Sequence, residues 1–576
     1  MRKMDDLVIR NGLVADGSGN EPFHADIAVA DGMITAIGHD LPAGREEVDG
    51  EGHLVTPGFV DIHTHYDGQV IWSDRMMPSS VHGVTTVVTG NCGVGFAPCR
   101  PADREALIGL MAGVEDIPEV VMAQGLDWSW QSYADYLDAV DRRAHDVDIG
   151  SLLPHSPLRV FVMGDRAIRR EPADADDIAW MAAIARDAMR AGSLGFASSR
   201  AIQQRAASGE PIPTVRAAED ELMGIAMALR DAGSGVLQFL SDFHLFQDVD
   251  GEFAMLRRLV EASGRPMSFT LQQKHGDPEG WRRLLDRVEA AAAAGLPVKA
   301  QVAVRPSGVL LGHALSLTPF SHCQSYRALA ALSWSEMLAE LRRPEVRARI
   351  VAEAEADVSD RPVAYDFDRM FIMGNRPEYE PAAQDSIAAI AARRGLSPQA
   401  VAYDALLGEE GTAILFDAAQ NFADLTLDAT GEMLAHNDTV IGLGDGGAHL
   451  GLICDASYPT TVLGHWTRRK GGTRFSVGWA VKALAADTAA AVGLHDRGLL
   501  RRGYKADINI IDMDRVALLR PRVVRDLPAG GRRVLQDAEG YRATFVSGVM
   551  TYRDGTPTGA LPGRLVRGAR AAPATS

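Results

Sequence analysis

Eight short apolar segments run in order through the middle of the chain, and patterned helical stretches separate them. They are GFVDIHTH, GVTTVVTGN, IGSLLPH, GSLGFASS, GVLQFLS, PMSFTLQ, PVKAQVAV and TVIGLGD. Between them stand Ala- and Arg-rich stretches such as DDIAWMAAIARDAMRAG, GWRRLLDRVEAAAAAG and AQDSIAAIAARRG. A short apolar strand followed by an amphipathic helix joins its neighbours through parallel crossovers. Eight such units predict a closed (β/α)8 TIM barrel rather than a doubly wound open sheet. In a barrel of this kind, reactive side chains gather at the C-terminal ends of the strands.

The two ends have a different texture. DLVIRNGLVADG, HADIAVADGMITAIG and EEVDGEGHLVTPG alternate β-branched runs with NG and DG turn signals, and GYKADINIIDMD and GYRATFVSGVMTYRDG repeat the pattern. One small β-sandwich built from both ends accommodates them. The expected division is 1–57 plus 498–565 for the sandwich, 58–497 for the barrel, and 566–576 as a frayed tail.

Composition narrows the function. The 576 residues exceed one ordinary domain, which suits a large barrel with an accessory domain. With 76 acidic against 58 basic residues the net charge is -18, the wrong sign for a nucleic-acid surface. MRKMDDLVIRNG lacks a signal-peptide core, and no apolar run approaches the ~18 residues of a membrane helix, so a cytoplasmic location is expected, with no membrane partner. Four scattered cysteines, Cys92, Cys99, Cys323 and Cys454, cannot form a disulfide framework, and each is free to be a buried thiol or a ligand.

The sharpest local feature is PGFVDIHTHYDG. His63 and His65 are two apart at a strand end, so both imidazoles face one side, an arrangement suited to a divalent ion such as zinc. The bland alternative is a pair of surface histidines. GNCG, with Cys92, and VIGLGDGGAH, with Asp445, follow in order. Together these motifs resemble the amidohydrolase superfamily, and within it the N-acyl-D-amino-acid deacylase branch. PHSPLR at His155, GSLGFASSR at Ser198 and Arg200, MAGVEDIPEV and RGLLRRGYKADINIID extend the resemblance over nearly the whole chain. It implies a metal-bearing barrel with a small β-sandwich. His63, His65, Cys92 and Asp445 would be the metal ligands, and Asp445 would also be the general base and acid.

Two departures qualify the resemblance. The deacylases carry histidines on the fifth and sixth strands. Here GVLQFLSDF has none at its likely end, and FTLQQK places Gln272 where the second is expected. One zinc ion is therefore expected rather than two, unless His244 and His275 enter from just beyond those strands. The deacylases also hold the substrate carboxylate with an arginine after the last-strand aspartate, and no arginine occurs between Asp445 and Trp466. Arg305, at another strand end, is the candidate replacement, with a structural salt bridge as its alternative. Gln238, Gln272, Ser198 and Arg200 complete the candidate substrate contacts.

The expected reaction is amide hydrolysis by metal-activated hydroxide, with Asp445 taking a proton and passing it to the departing nitrogen. His155 would bind the oxyanion or support a ligand from behind. A cyclic amide, lactone or carbamate substrate on the same site, or a non-catalytic scaffold barrel, are the alternatives. The expected partner is a small-molecule amide, and a homo-oligomer is left open.

Overall fold

A computed structural model describes residues 4–243, 248–356 and 365–574. The eight apolar segments form one parallel eight-stranded sheet in sequence order: Phe59–Asp61, Val84–Thr89, Asp148–Pro154, Gly195–Ser199, Val236–Leu240, Met267–Leu271, Val298–Val302 and Thr439–Ile441. They are almost wholly buried, as strands covered on both faces must be, which is why each reads as a continuous apolar run. The sheet closes where the first and last strands run out. Asp445 N–H donates to His63 O at 2.9 Å, His65 N–H donates to Gly446 O at 2.7 Å, and Thr64 bridges Gly446 in parallel. The barrel seam is thus made of the two segments that carry three of the four expected ligands, His63, His65 and Asp445.

The covering helices start and stop on local signals. Ala175–Ala191 opens on an Asp174 capping box with Asp177 and ends at Gly192 in the left-handed region. Its buried residues, Met181, Ala182, Ala185, Ala188 and Met189, recur at helical spacing and face inward.

Both chain ends join one nine-stranded sheet. Leu7–Val14, Phe23–Ala30, Met33–Gly38, Glu46–Asp49 and Leu54–Pro57 come from the start, and Ile508–Ile511, Tyr541–Val546, Val549–Arg553 and Thr556–Pro557 from the end. They meet where Val55 pairs with Ile510, antiparallel, over a core of Ile9, Ile27, Ile508 and Phe545. A hairpin of Arg522–Leu527 and Gly531–Leu535 leaves this part and reaches the barrel, where Val534 N–H donates to Leu450 O and Arg533 to Met77 O.

Two features depart from the sequence reading. The described residues from 303 to 438, between the seventh and eighth strands, are not barrel. They hold a three-stranded sheet (Ser307–Leu311, Leu415–Gln420 and Met370–Ile372) and helices around a core of their own that includes Phe320, Ile350, Tyr403 and Leu406. AQDSIAAIAARRG lies here, as Ile387–Arg394. Nor is the segment from 566 frayed. Leu565 and Val566 are buried, Val566 N–H donates to Ile149 O, Arg570 N–H donates to Gly493 O, and Arg567 pairs with Asp138 and Asp141. The segment is a strap tied to the barrel by backbone hydrogen bonds that no side-chain pattern announces.

Candidate active site

Alternation along the first strand sets the site. Val60 and Ile62 pack against Ala489, Val492 and Leu494 on the outside, so Asp61, His63 and His65 face the barrel interior. The imidazoles of His63 and His65 are 5.6 Å apart, edge to face. Cys92 sits in the turn after the second strand with φ +54, an uncommon conformation for a side chain of its kind, and Gly93 follows with φ +66. A Cβ on Gly93 would stand 2.8 Å from Ser198 Cα, so glycine is what lets this turn approach the fourth strand. Asp445, with φ +47, enters from the eighth strand.

The ligand atoms converge. One ligand atom each from His63, His65 and Cys92 all lie within 4.8 Å of one another, the only such group of three or more His, Cys, Asp or Glu among the described residues. Cys92 Sγ is 3.3 Å from His63 Nε2, and Asp445 Oδ1 is 3.3 Å from His63 Nε2 and 3.6 Å from His65 Nε2. The two histidines and Cys92 are buried, whereas the Asp445 side chain keeps 25% of its exposure and faces a cavity of about 440 Å³.

Neighbouring side chains orient these groups. His63 Nδ1 bonds Gln301 Oε1 at 2.7 Å, which turns the Nε2 lone pair toward Cys92 and Asp445. His65 Nδ1 lies 3.4 Å from the Glu115 carboxylate, and His449 Nε2 lies 3.6 Å from the other Glu115 oxygen. Gln238 Oε1 accepts the Cys92 N–H at 3.0 Å.

Charge follows from this crowding. Burial opposes ionisation of Asp445, but His63 and His65 outweigh it and hold the carboxyl at about 2. Burial likewise opposes the Cys92 thiolate, and His63 again prevails, so the thiol titrates below its ordinary range. In turn Cys92 and Asp445 overcome burial to raise His63 to about 9. Two carboxyl groups, Glu115 and Asp445, and the Cys92 sulfur crowd two imidazoles in a largely buried site, a set of donors that suits a divalent cation.

The other expected site residues fare unequally. Gln272 lines the cavity. Gln238 does not, and serves Cys92 instead. Ser198 is fully buried and bonds His155 Nδ1 at 2.8 Å, while His155 Nε2 bonds Glu221 at 2.9 Å. Both belong to an internal polar chain beneath Gly93, away from the cavity lining, so His155 is not placed to bind an oxyanion. Arg200 is held by Glu252 at 2.9 Å and by Ala217 O. Arg305 pairs with Asp455 at 2.8 Å, bonds Ser457 and stacks 3.9 Å over Tyr379. Its alternative as a structural ion pair is what the fold uses. His275 lies outside the cavity lining, and His244 lies outside the described residues.

The cavity also holds residues that sequence reasoning missed. Lys274 lines it from just beyond the sixth strand, and burial lowers its ammonium to about 8. Its signal was there in the alternation Thr270, Gln272, Lys274, which puts three side chains on one face. Glu115 and His449 also line the cavity, and nothing in their local sequence announced that they meet.

Comparisons agree with this architecture. The amidohydrolase family model matches residues 46–557. An uncharacterized protein of Mycobacterium tuberculosis is 36% identical over 199 residues, an alignment that covers 33% of this chain and 32% of the relative's length. The D-aminoacylase of Alcaligenes xylosoxydans xylosoxydans is 27% identical over 97% of both chains. The crystal structure of a D-aminoacylase superposes with a TM-score of 0.64 at 24% identity, covering 98% of this chain and 100% of that one, a likeness of fold. No helix among the described residues is long and apolar enough to cross a membrane. The chain belongs to the amidohydrolase family, on its D-aminoacylase-like branch.

Proposed function

We propose that this chain is a cytoplasmic hydrolase that cleaves the amide bond of an N-acyl-D-amino acid at a single zinc site formed by His63, His65, Cys92 and Asp445. The observation that carries the reading is the convergence of those ligand atoms beside a cavity that also holds a cation, Lys274, with Asp242 near it. The donor set suits zinc, since thiolate and imidazole are its preferred partners. That all four cysteines are free of disulfides supports the cytoplasmic location. The D-configuration rests on the full-length relative, which is named a D-aminoacylase.

His63, His65, Cys92 and Asp445 would hold a divalent ion, which would supply Lewis acidity for the attack of water on the amide. Asp445, ionised at neutral pH and open to the cavity, accepts a proton at its carboxylate and returns it to the departing nitrogen. Gln301 holds the His63 imidazole in register from behind, and the Glu115 carboxylate stands 3.4 Å from His65 Nδ1. Lys274 meets the substrate's α-carboxylate, the task that Arg305, bound to Asp455, does not perform.

The test is a substrate panel assayed with zinc-loaded protein: N-acetyl-D- and N-acetyl-L-amino acids, the same compounds with the α-carboxyl amidated, and neutral cyclic amides and lactones. The reading expects turnover of the D-acids and a sharp rise in KM on amidation. Turnover of neutral cyclic amides or lactones with none of the acids would overturn it.

A further inference from the structure

Building on the metal site of that reading, and on no part of its substrate, we infer that Gln238 is a positioning residue for the Cys92 sulfur. It holds a left-handed backbone that aims the sulfur at the two imidazoles. In the turn of Gly90, Asn91, Cys92 and Gly93, three residues have positive φ: Gly90 at +83, Cys92 at +54 and Gly93 at +66. Glycine adopts that region freely, whereas a residue with a Cβ does so at a cost in free energy. Glycine thus stands at two of the three left-handed positions, and a side chain only at the third, where Cys92 Sγ comes within 3.3 Å of His63 Nε2.

Such a conformation persists only where its surroundings over-determine it. One end of the turn is tied to the first strand. Asn91 Nδ2 donates to Val88 O at 2.8 Å and to Thr64 O at 3.3 Å, and Thr64 stands between His63 and His65. Gly90 N–H donates to Asp67 Oδ2 at 3.2 Å. The peptide of Cys92 itself is held from across the barrel, where Gln238 Oε1 on the fifth strand accepts its N–H at 3.0 Å. Gln238 shares its strand face with Leu240, which lines the cavity, and lies one layer beneath it, buried. It therefore acts through Cys92 and not on substrate. The other half of its amide sharpens the point. Gln238 Nε2 is buried without a hydrogen-bond partner in the protein, a cost that an apolar side chain of similar length avoids. A position that served packing alone would be better filled by methionine; one that serves the Cys92 N–H needs the oxygen.

The test uses the protein loaded with cobalt(II), whose bond to a thiolate absorbs in the near ultraviolet and so reports sulfur ligation directly. Parent, Gln238→Met and Gln238→Glu proteins are compared in cobalt affinity by chelator competition, in the intensity of that band per bound ion, and in the Tm of the metal-free protein. Gln238→Met, close in size and without the amide acceptor, is expected to bind cobalt roughly 10- to 100-fold more weakly, with a diminished band and a metal-free Tm no lower than the parent's. Gln238→Glu, which keeps an oxygen in place, is expected to recover both affinity and band. Gln238→Asn withdraws the amide by one methylene and stands in for the methionine variant should that one fail to fold. Parent affinity or a full band in the acceptor-less variant, or no recovery in Gln238→Glu, overturns the inference. A lowered metal-free Tm with the band intact assigns Gln238 to the fold alone and overturns it as well. A parent protein that binds cobalt without the band contradicts Cys92 as a ligand, so that the metal-site reading fails and the inference falls with it.

Discussion

His63 Nδ1 donates to Gln301 Oε1 at 2.7 Å, an amide oxygen that can only accept, while Gln301 Nε2 donates to Ser268 Oγ at 2.8 Å. Gln301 therefore keeps a proton on His63 Nδ1, so that Nε2, which faces Cys92 and Asp445, is the nitrogen a metal ion would take. Replacing Gln301 by Leu removes the acceptor and should weaken zinc binding roughly 10- to 100-fold. Chelator competition on the purified variant reads this directly, and Gln301→Glu, which restores an acceptor, should recover affinity.

The Glu115 carboxylate stands 3.4 Å from His65 Nδ1, and its other oxygen lies 3.6 Å from His449 Nε2, in the loop after Asp445, so one side chain neighbours both. Glu115→Ala should therefore lower zinc affinity by a similar ~10- to 100-fold and lower Tm as well. Glu115→Gln, which keeps an acceptor, should fall between the two.

Asp445→Asn keeps the size of the side chain and removes the proton acceptor. We expect kcat to drop ~10²- to 10⁴-fold with most of the zinc retained, measured by turnover alongside elemental analysis. Near-normal turnover would remove Asp445 from the proton-transfer role.

Lys274 gives the enzyme a basic limit. Burial lowers its ammonium to about 8, so the charge is present below that pH and lost above it. For acidic substrates kcat/KM should fall as pH rises through about 8, with the change in KM. Lys274→Arg should move that fall upward, and substrates amidated at the α-carboxyl should not show it.

At the join between barrel and terminal sheet, Asp148 is buried between Arg497 at 2.7 Å and Lys505 at 2.9 Å. Burial opposes its charge, yet these two cations outweigh it and hold the carboxyl at about 2, below the ordinary carboxylate range. The stabilisation this provides is present above about pH 4 and is lost as pH falls toward 2. Asp148→Ala leaves Arg497 buried without its main partner and should destabilise by ~3–5 kcal/mol. Thermal unfolding at neutral pH should show a lower Tm, and the gap to the parent should narrow below pH 4.

What the sequence disclosed follows from range. All eight barrel strands were legible because a strand buried on both faces writes an apolar run into adjacent positions. That His63, His65, Cys92 and Asp445 stand together came from different signals: the two histidines from alternation at a strand end, Cys92 and Asp445 from the resemblance of their motifs. The insertion was not, because Ile387–Arg394 has the same amphipathic pattern as a barrel helix and differs only in what it packs against. Arg305 looked available until Asp455, 150 positions away, was seen beside it. The strap after Leu565 is held by backbone groups, which carry no residue code.

The central claim is one ion held by His63, His65, Cys92 and Asp445, and elemental analysis with metal-dependent activity tests it most directly. The account predicts about one zinc per chain, activity that disappears on chelation and returns with zinc, and loss of both in Cys92→Ala. Two tightly held ions per chain, or a Cys92→Ala protein that keeps its zinc and its activity, would contradict it.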